Sequence, residues 1–256
     1  MKKKLPALSV VNTVVTLAVI IVNALATSLP LNGLDTGEIS DRFEIYFVPA
    51  GYVFSIWGLI YLGLMAFTVY QALPSQRENP HVRRIGLLYT LNGVANIVWL
   101  FLWHYEVFDF TLLAMLTILG SLIAIFLMLW SGRNELSRTD RWAILVPFSI
   151  YLGWISVATV ANATQLLYYL NWGGWGISPE VWAVVMLVVA AGIAVAMSLR
   201  HGSLAYAGVF VWAYIGIALK HSDVAAVMLP AAILAGLIGL AGIAGGLRGR
   251  GRPTSA

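Results

Sequence analysis

Apolar stretches of about 20 residues follow one another along this chain, separated by short polar connections. As an α-helix, a stretch of that length covers a hydrocarbon core of about 30 Å. Lipid offers no partner to a bare N–H or C=O, so an isolated run of this kind must satisfy its backbone internally, as a helix. Eight spans are predicted, at roughly 7–28, 48–73, 84–103, 107–131, 141–170, 180–199, 204–219 and 223–247. The expected fold class is therefore all-α, a polytopic transmembrane helix bundle of about eight spans. Only 10% of the 256 residues are charged, whereas a soluble domain is about a quarter charged. Trp130 closes the fourth span and Trp142 opens the fifth, as interfacial aromatics do.

Charge fixes the expected orientation. With the N-terminus inside, Lys2, Lys3, Lys4, Arg77, Arg83, Arg84, Arg133, Arg138, Arg141, Arg200, Arg248, Arg250 and Arg252 are inside, 13 of the 15 basic residues. Only Arg42 and Lys220 fall outside. The positive-inside rule then places both termini in the cytoplasm, and the expected location is a bacterial inner membrane. The basic residues sit at helix ends, so the lipid bilayer explains them and nucleic acid is not an expected partner. Lys2–Lys4, the apolar run and Ala24-Leu25-Ala26 imitate a signal peptide. That run is longer than a signal core and carries Asn12 and Asn23, so it is expected to stay as a span.

There is no cysteine, which excludes disulfides, thiolate metal sites and a cysteine nucleophile. No Asp, Glu, Lys or Arg lies deep in a predicted span, which disfavours ion-coupled transport through a buried acid. His104, Glu106 and Asp109 cluster between spans three and four, but such residues at an interface are ordinarily solvated, and no metal site is assigned. No catalytic residue is assigned either. The polar groups left within the spans are mainly amides and hydroxyls. Asn92 and Asn96 are four apart on one helical face, and Trp99 and Trp103 continue the stripe. Two readings stand: interhelical hydrogen bonds, or the wall of a polar-aromatic pocket. In span five, Tyr151, Trp154, Ala158 and Asn162 form a second stripe. The connection 29–47 has turn signals at Asn32-Gly33 and Asp35-Thr36-Gly37, and carries Phe43, Tyr46 and Phe47. It reads equally as an interfacial anchor or as a lid. The last span carries Gly236, Gly239, Gly242, Gly245 and Gly246, a stripe that admits a close helix neighbour and is a candidate docking face.

Taken together, three segments change the weighting. Span two opens Pro49-Ala50-Gly51-Tyr52-Val53-Phe54-Ser55-Ile56-Trp57 and continues to Tyr61; span three has Asn92-Gly93-Val94-Ala95-Asn96-Ile97-Val98-Trp99; span five has Tyr151, Trp154, Ala158 and Asn162. This order and spacing resembles the TspO family, the tryptophan-rich sensory proteins related to the mitochondrial translocator protein. The resemblance covers about residues 5–172. It implies a five-helix core over 1–172, followed at 173–256 by three additional transmembrane helices and a basic tail. It further implies a cavity that opens towards the loop after helix one. Family members bind porphyrins such as protoporphyrin IX and haem, and some bind sterols or synthetic isoquinoline and benzodiazepine ligands. Trp57 and Trp154 match the family's cavity tryptophans, and Asn92 and Asn96 match polar positions on helix three.

The chain departs from the pattern in places. The double proline before helix two is here Pro49-Ala50, and the proline four before the helix-five tryptophan is Ile150, with Pro147 three residues earlier. The expected function is that of a membrane sensor or carrier for a flat hydrophobic ligand, a porphyrin or related tetrapyrrole. The ligand-binding residues would be Trp57, Asn92, Asn96, Trp99, Tyr151, Trp154 and Asn162. No cofactor is required; porphyrin or haem is a possible bound group, a sterol-like molecule another partner, and a homodimer a further option. The alternatives are a small-molecule transporter, an enzyme promoting oxidative porphyrin degradation through Trp57 or Trp154, and a scaffold for another membrane protein.

Overall fold

The protein is all-helical over residues 7–29 and 31–250, which the computed structural model describes. Lys2, Lys3, Lys4 and Arg252, used in the charge argument, lie outside those residues. The helices are α1 (Ala7–Ser28), α2 (Thr36–Asp41), α3 (Ile56–Ala72), α4 (Pro80–His104), α5 (Phe108–Ser131), α6 (Arg138–Asp140), α7 (Val146–Tyr169), α8 (Pro179–His201), α9 (Leu204–Lys220) and α10 (Ala225–Arg250). Among the described residues, seven helical runs are long and apolar enough to cross a membrane: α1, α4, α5, α8, α10, Gly51–Ala72 around α3, and Arg138–Tyr169 through α6 and α7. The shorter α9 is also apolar. Each of the eight expected spans is thus a helix, with ends within a few residues of those predicted.

The chain forms two compact units. The first is Met1–Ile39 with Trp57–Leu152, and the second is Ser40–Ile56 with Gly153–Ala256. The connection after α1 and the long helix α7 are therefore each shared between units.

In the first unit, α1 is amphipathic in the inverted sense that a bilayer favours. Its buried residues are Ser9, Asn12, Thr16, Val19, Asn23 and Ala26, while Val10, Val14, Leu17, Ile21 and Leu25 are exposed. Lipid is as apolar as leucine, so packing and interhelical hydrogen bonds hold the helices together. Thr90 Oγ1 donates to Asn12 Oδ1 (2.7 Å), and Asn12 Nδ2 donates to Gln71 Oε1 (3.2 Å). Thr16 Oγ1 shares hydrogen bonds with Thr68 Oγ1 (2.8 Å) and with the Tyr89 hydroxyl (2.6 Å). Glycine permits the close approach this seam needs: a Cβ on Gly93 would lie 2.2 Å from Val15 Cγ1. Below the seam, the rings of Phe67, Tyr89 and Phe148 meet edge to face at 5.0–5.6 Å.

The N-terminal approach to α7 is tightly specified. Ser137 and Asp140 form a capping box at α6. Tyr70 and Asn79 both donate to Asp140 Oδ1, at 2.9 and 2.8 Å. A wide π turn over Arg141–Leu145 precedes Pro147, which has no N–H to give. The Pro147 ring then packs where Gly63 leaves room, since a Cβ there would be 3.0 Å from Pro147 Cβ.

In the second unit, α8, α9 and α10 pack on one another. The glycine stripe of α10 is used here rather than offered as an outer docking face, which corrects that expectation for its C-terminal half. A Cβ on Gly245 would sit 2.0 Å from the Ser198 carbonyl oxygen, and one on Gly242 would be 2.8 Å from Ala207 Cβ. The opposite face, with Ile233, Leu237, Leu240, Ile243 and Leu247, is exposed as a lipid-facing surface should be. Gly202 closes α8 in the left-handed conformation (φ 61°), a cap that glycine adopts without strain. The segment 40–56 lies against these helices. Ala50 N donates to Gly216 O (3.1 Å) and Trp212 Nε1 to Val53 O (3.1 Å).

Candidate functional site

Five of the seven expected site residues lie in the first unit, and four of the five are joined to one another or to named neighbours in the same place. Trp57 and Tyr61, one turn apart on α3, stack with centroids 5.5 Å apart and planes at 22°. The Tyr151 ring meets Trp57 edge-on at 5.9 Å. Asn96 Nδ2 donates to the Tyr151 hydroxyl (3.1 Å), and Asn23 Nδ2 donates to Asn96 Oδ1 (3.0 Å). Asn23 Nδ2 also reaches Val19 O (2.8 Å). The result is a buried ladder across α1, α4 and α7 that holds one face of an aromatic shelf. Trp99 extends the stripe by stacking on Trp103 at 5.1 Å. Trp103 Nε1 donates to Thr36 O (3.3 Å), whereas the buried Trp99 Nε1 has no hydrogen-bond partner.

Asn92 behaves differently from Asn96. Its amide nitrogen donates to Ile118 O (3.2 Å) and Ser121 Oγ (3.0 Å) on α5. That is interhelical bonding, so the two readings of the Asn92/Asn96 stripe divide between its two amides. Trp154 and Asn162 lie in the second unit, each 3% exposed. Trp154 meets Phe54 edge to face at 5.7 Å, which ties the helix-five tryptophan to the entry segment before α3.

Each part of the connection 29–47 is anchored within its own unit. Asn32 and Gly33 take left-handed conformations in the first turn, and Asp35 Oδ1 accepts from Gly37 N (2.7 Å) and Glu38 N (2.8 Å) to start α2. Asn32 Nδ2 donates to His104 O (3.1 Å), and the His104 ring lies within hydrogen-bond reach of Thr36 Oγ1 and Leu31 O. His104 thus serves the loop. In the second unit, the Tyr46 hydroxyl donates to Glu180 Oε1 (3.0 Å), its ring meets His221 at 5.2 Å, and Lys220 pairs with Asp41. Its bond to Glu180, foremost, holds the Tyr46 hydroxyl above the usual phenol range. Burial, and then the neighbouring Lys220, hold the His221 ring below the usual histidine range.

Site reasoning from sequence passed over Tyr61 and Asn23. The i, i+4 spacing of Trp57 and Tyr61 was available as a signal, and so was the 3-4 rhythm of Ser9, Asn12, Thr16, Val19 and Asn23 along α1.

Fold and site together define an integral, multi-pass helical membrane protein with a hydrogen-bonded aromatic shelf inside its apolar spans. The family model of the TSPO-like proteins matches residues 9–244, and the chain belongs to that family. The match takes in α8, α9 and α10 as well as the helices of the expected five-helix core. No curated protein and no solved structure matches the chain.

Proposed function

We propose that this protein is a membrane receptor or carrier for a flat, largely apolar ligand of the porphyrin class. The observation that carries the proposal is the Trp57–Tyr61–Tyr151 shelf, held by the Asn23–Asn96–Tyr151 hydrogen bonds. Indole and phenol rings fixed in place offer large stacking area at little entropic cost, which suits a planar aromatic guest. Family membership supports the same ligand class. In the second unit, Trp154 and Asn162 are proposed as ligand contacts by their match to the family's helix-five motif; in the first, Trp99 is proposed by its place beside Asn96. Asn92 contributes by fixing α5 against α4. The ligand-bearing part is proposed to be residues 1–172, with both termini cytoplasmic in accord with the 13-to-2 division of basic residues.

The test is a titration of the full-length protein in lipid nanodiscs with protoporphyrin IX, followed by quenching of tryptophan fluorescence. Trp57→Phe and Trp154→Phe should each weaken binding by about 1 kcal/mol and remove part of the quenching. Unchanged affinity and quenching in the double variant would return both indoles to ordinary packing and defeat the proposal.

A further inference from the structure

We propose that Gln165 is a specificity-determining residue that recognises a hydrogen-bond acceptor, most simply a carboxylate, on the rim of the ligand. This rests on the porphyrin-class reading above and deepens it. Gln165 is 3% exposed, and its Nε2 is wholly buried without a hydrogen-bond partner. In the first unit the Gln71 Nε2 is likewise buried without a partner, but the Gln71 amide is engaged through its Oε1, which accepts from Asn12 Nδ2. Asn12, Asn23, Asn92 and Asn96 each donate to a named acceptor. A primary amide that gives up water and finds nothing in exchange is destabilising, more so in hydrocarbon, and such a group calls for an explanation. Leucine would fill a similar volume without that cost.

Its position supplies the explanation. Trp154, Ala158, Asn162 and Gln165 succeed one another at helical spacing on α7, and the last three turns of α7 bury only Asn162 and Gln165. Three residues beyond Gln165, Tyr168 meets Phe43 of the connecting segment edge to face at 5.9 Å. The unpaired donor therefore lies between the motif tryptophan and the loop end of α7. A planar ligand lying along this stripe would carry its acidic edge toward the loops, where a carboxylate sheds less hydration than at mid-membrane. An amide N–H₂ gives that edge two donors and adds no charge of its own.

The experiment uses the full-length protein in nanodiscs, two porphyrins and two variants. Protoporphyrin IX carries carboxylates; etioporphyrin has the same ring with alkyl substituents only. Gln165→Leu should lower affinity for protoporphyrin IX about tenfold, the scale of a hydrogen bond to a charged group, and leave etioporphyrin binding unchanged. Gln165→Glu, which replaces donors by a like charge, should lower it further. The ligand-free Gln165→Leu protein should unfold at the same temperature as the parent or higher, because it loses an unsatisfied group. Equal losses for both porphyrins, or a lower unfolding temperature with the preference for the acid intact, would make Gln165 a structural residue and overturn the inference alone. Failure of the parent to bind either porphyrin would overturn the ligand class and this inference with it.

Discussion

Asn96 is the rung whose loss should be felt most clearly, because it is bonded to two other helices at once. Asn96→Leu keeps the volume roughly constant and deletes the bond to Tyr151 on α7 and the bond from Asn23 on α1. Interhelical hydrogen bonds in membrane proteins average about 0.6 kcal/mol, with a maximum of about 1.7. Two of them give an expected loss of about 1–3 kcal/mol. Asn23 keeps its bond to Val19 O, so it adds no orphan donor. Tyr151→Phe removes only one of the two bonds and should cost about 0.6–1.7 kcal/mol. The double variant should then be little worse than Asn96→Leu, with a coupling of about 1 kcal/mol between the positions. The assay is reversible unfolding in mixed micelles of dodecylmaltoside and SDS, read by circular dichroism. Porphyrin titration of the same variants supplies the functional readout, since Tyr151 loses its tether while its ring still faces Trp57. Additivity of the two losses to within about 0.3 kcal/mol would refute the ladder.

Gly245→Ala should cost at least about 3 kcal/mol or prevent folding, because its Cβ would meet backbone 2.0 Å away. Gly236→Ala, with nothing within 4 Å, should be neutral or stabilising by up to about 1 kcal/mol in the same unfolding assay. His221, held below the usual histidine range, stays neutral in the folded protein where the unfolded chain already takes up a proton. Stability should therefore fall as pH drops through the ordinary histidine value of about 6.5 towards the lower folded value. His221→Phe should flatten that part of the pH profile of unfolding, and an unchanged slope would count against burial of the ring. Reporter fusions at residues 36 and 173 should be external and one at 136 internal; an external reporter at 136 would overturn the proposed orientation.

The helices were legible because hydrocarbon leaves the backbone few alternatives, and eight apolar runs gave eight helices. Their ends were also written in the chain, in Asn79-Pro80, Ser137 and Ser178-Pro179, where Asn79, Ser137 and Ser178 each cap the helix that begins one residue later. The partition into two units was not legible. Nor was it legible which glycine meets which neighbour: Gly93 meets Val15 in one unit, and Gly153 meets Val209 in the other. Small residues announce that something packs closely without saying what. The α10 stripe shows this, since its last glycines fit against Ser198 and Gly202 of the same unit.

The amides show the same division between what spacing carries and what only packing decides. Asn92 and Asn96 share a helical face, and one turn of rise was enough to send one to α5 and the other to α1 and α7. Neither outcome is encoded in Asn-x-x-x-Asn itself. Ser121 stands opposite the first amide, and Asn23 and Tyr151 stand opposite the second. Polar residues inside the spans thus sort by whether the protein supplies their partners. Asn12, Asn23, Asn92 and Asn96 have partners on neighbouring helices and act as structure, even where, as with Asn96, that structure aims an aromatic ring. Gln165 is buried as deeply, and its amide nitrogen has none. In a medium that offers no water in exchange, that difference is the ground on which a ligand contact is proposed at Gln165.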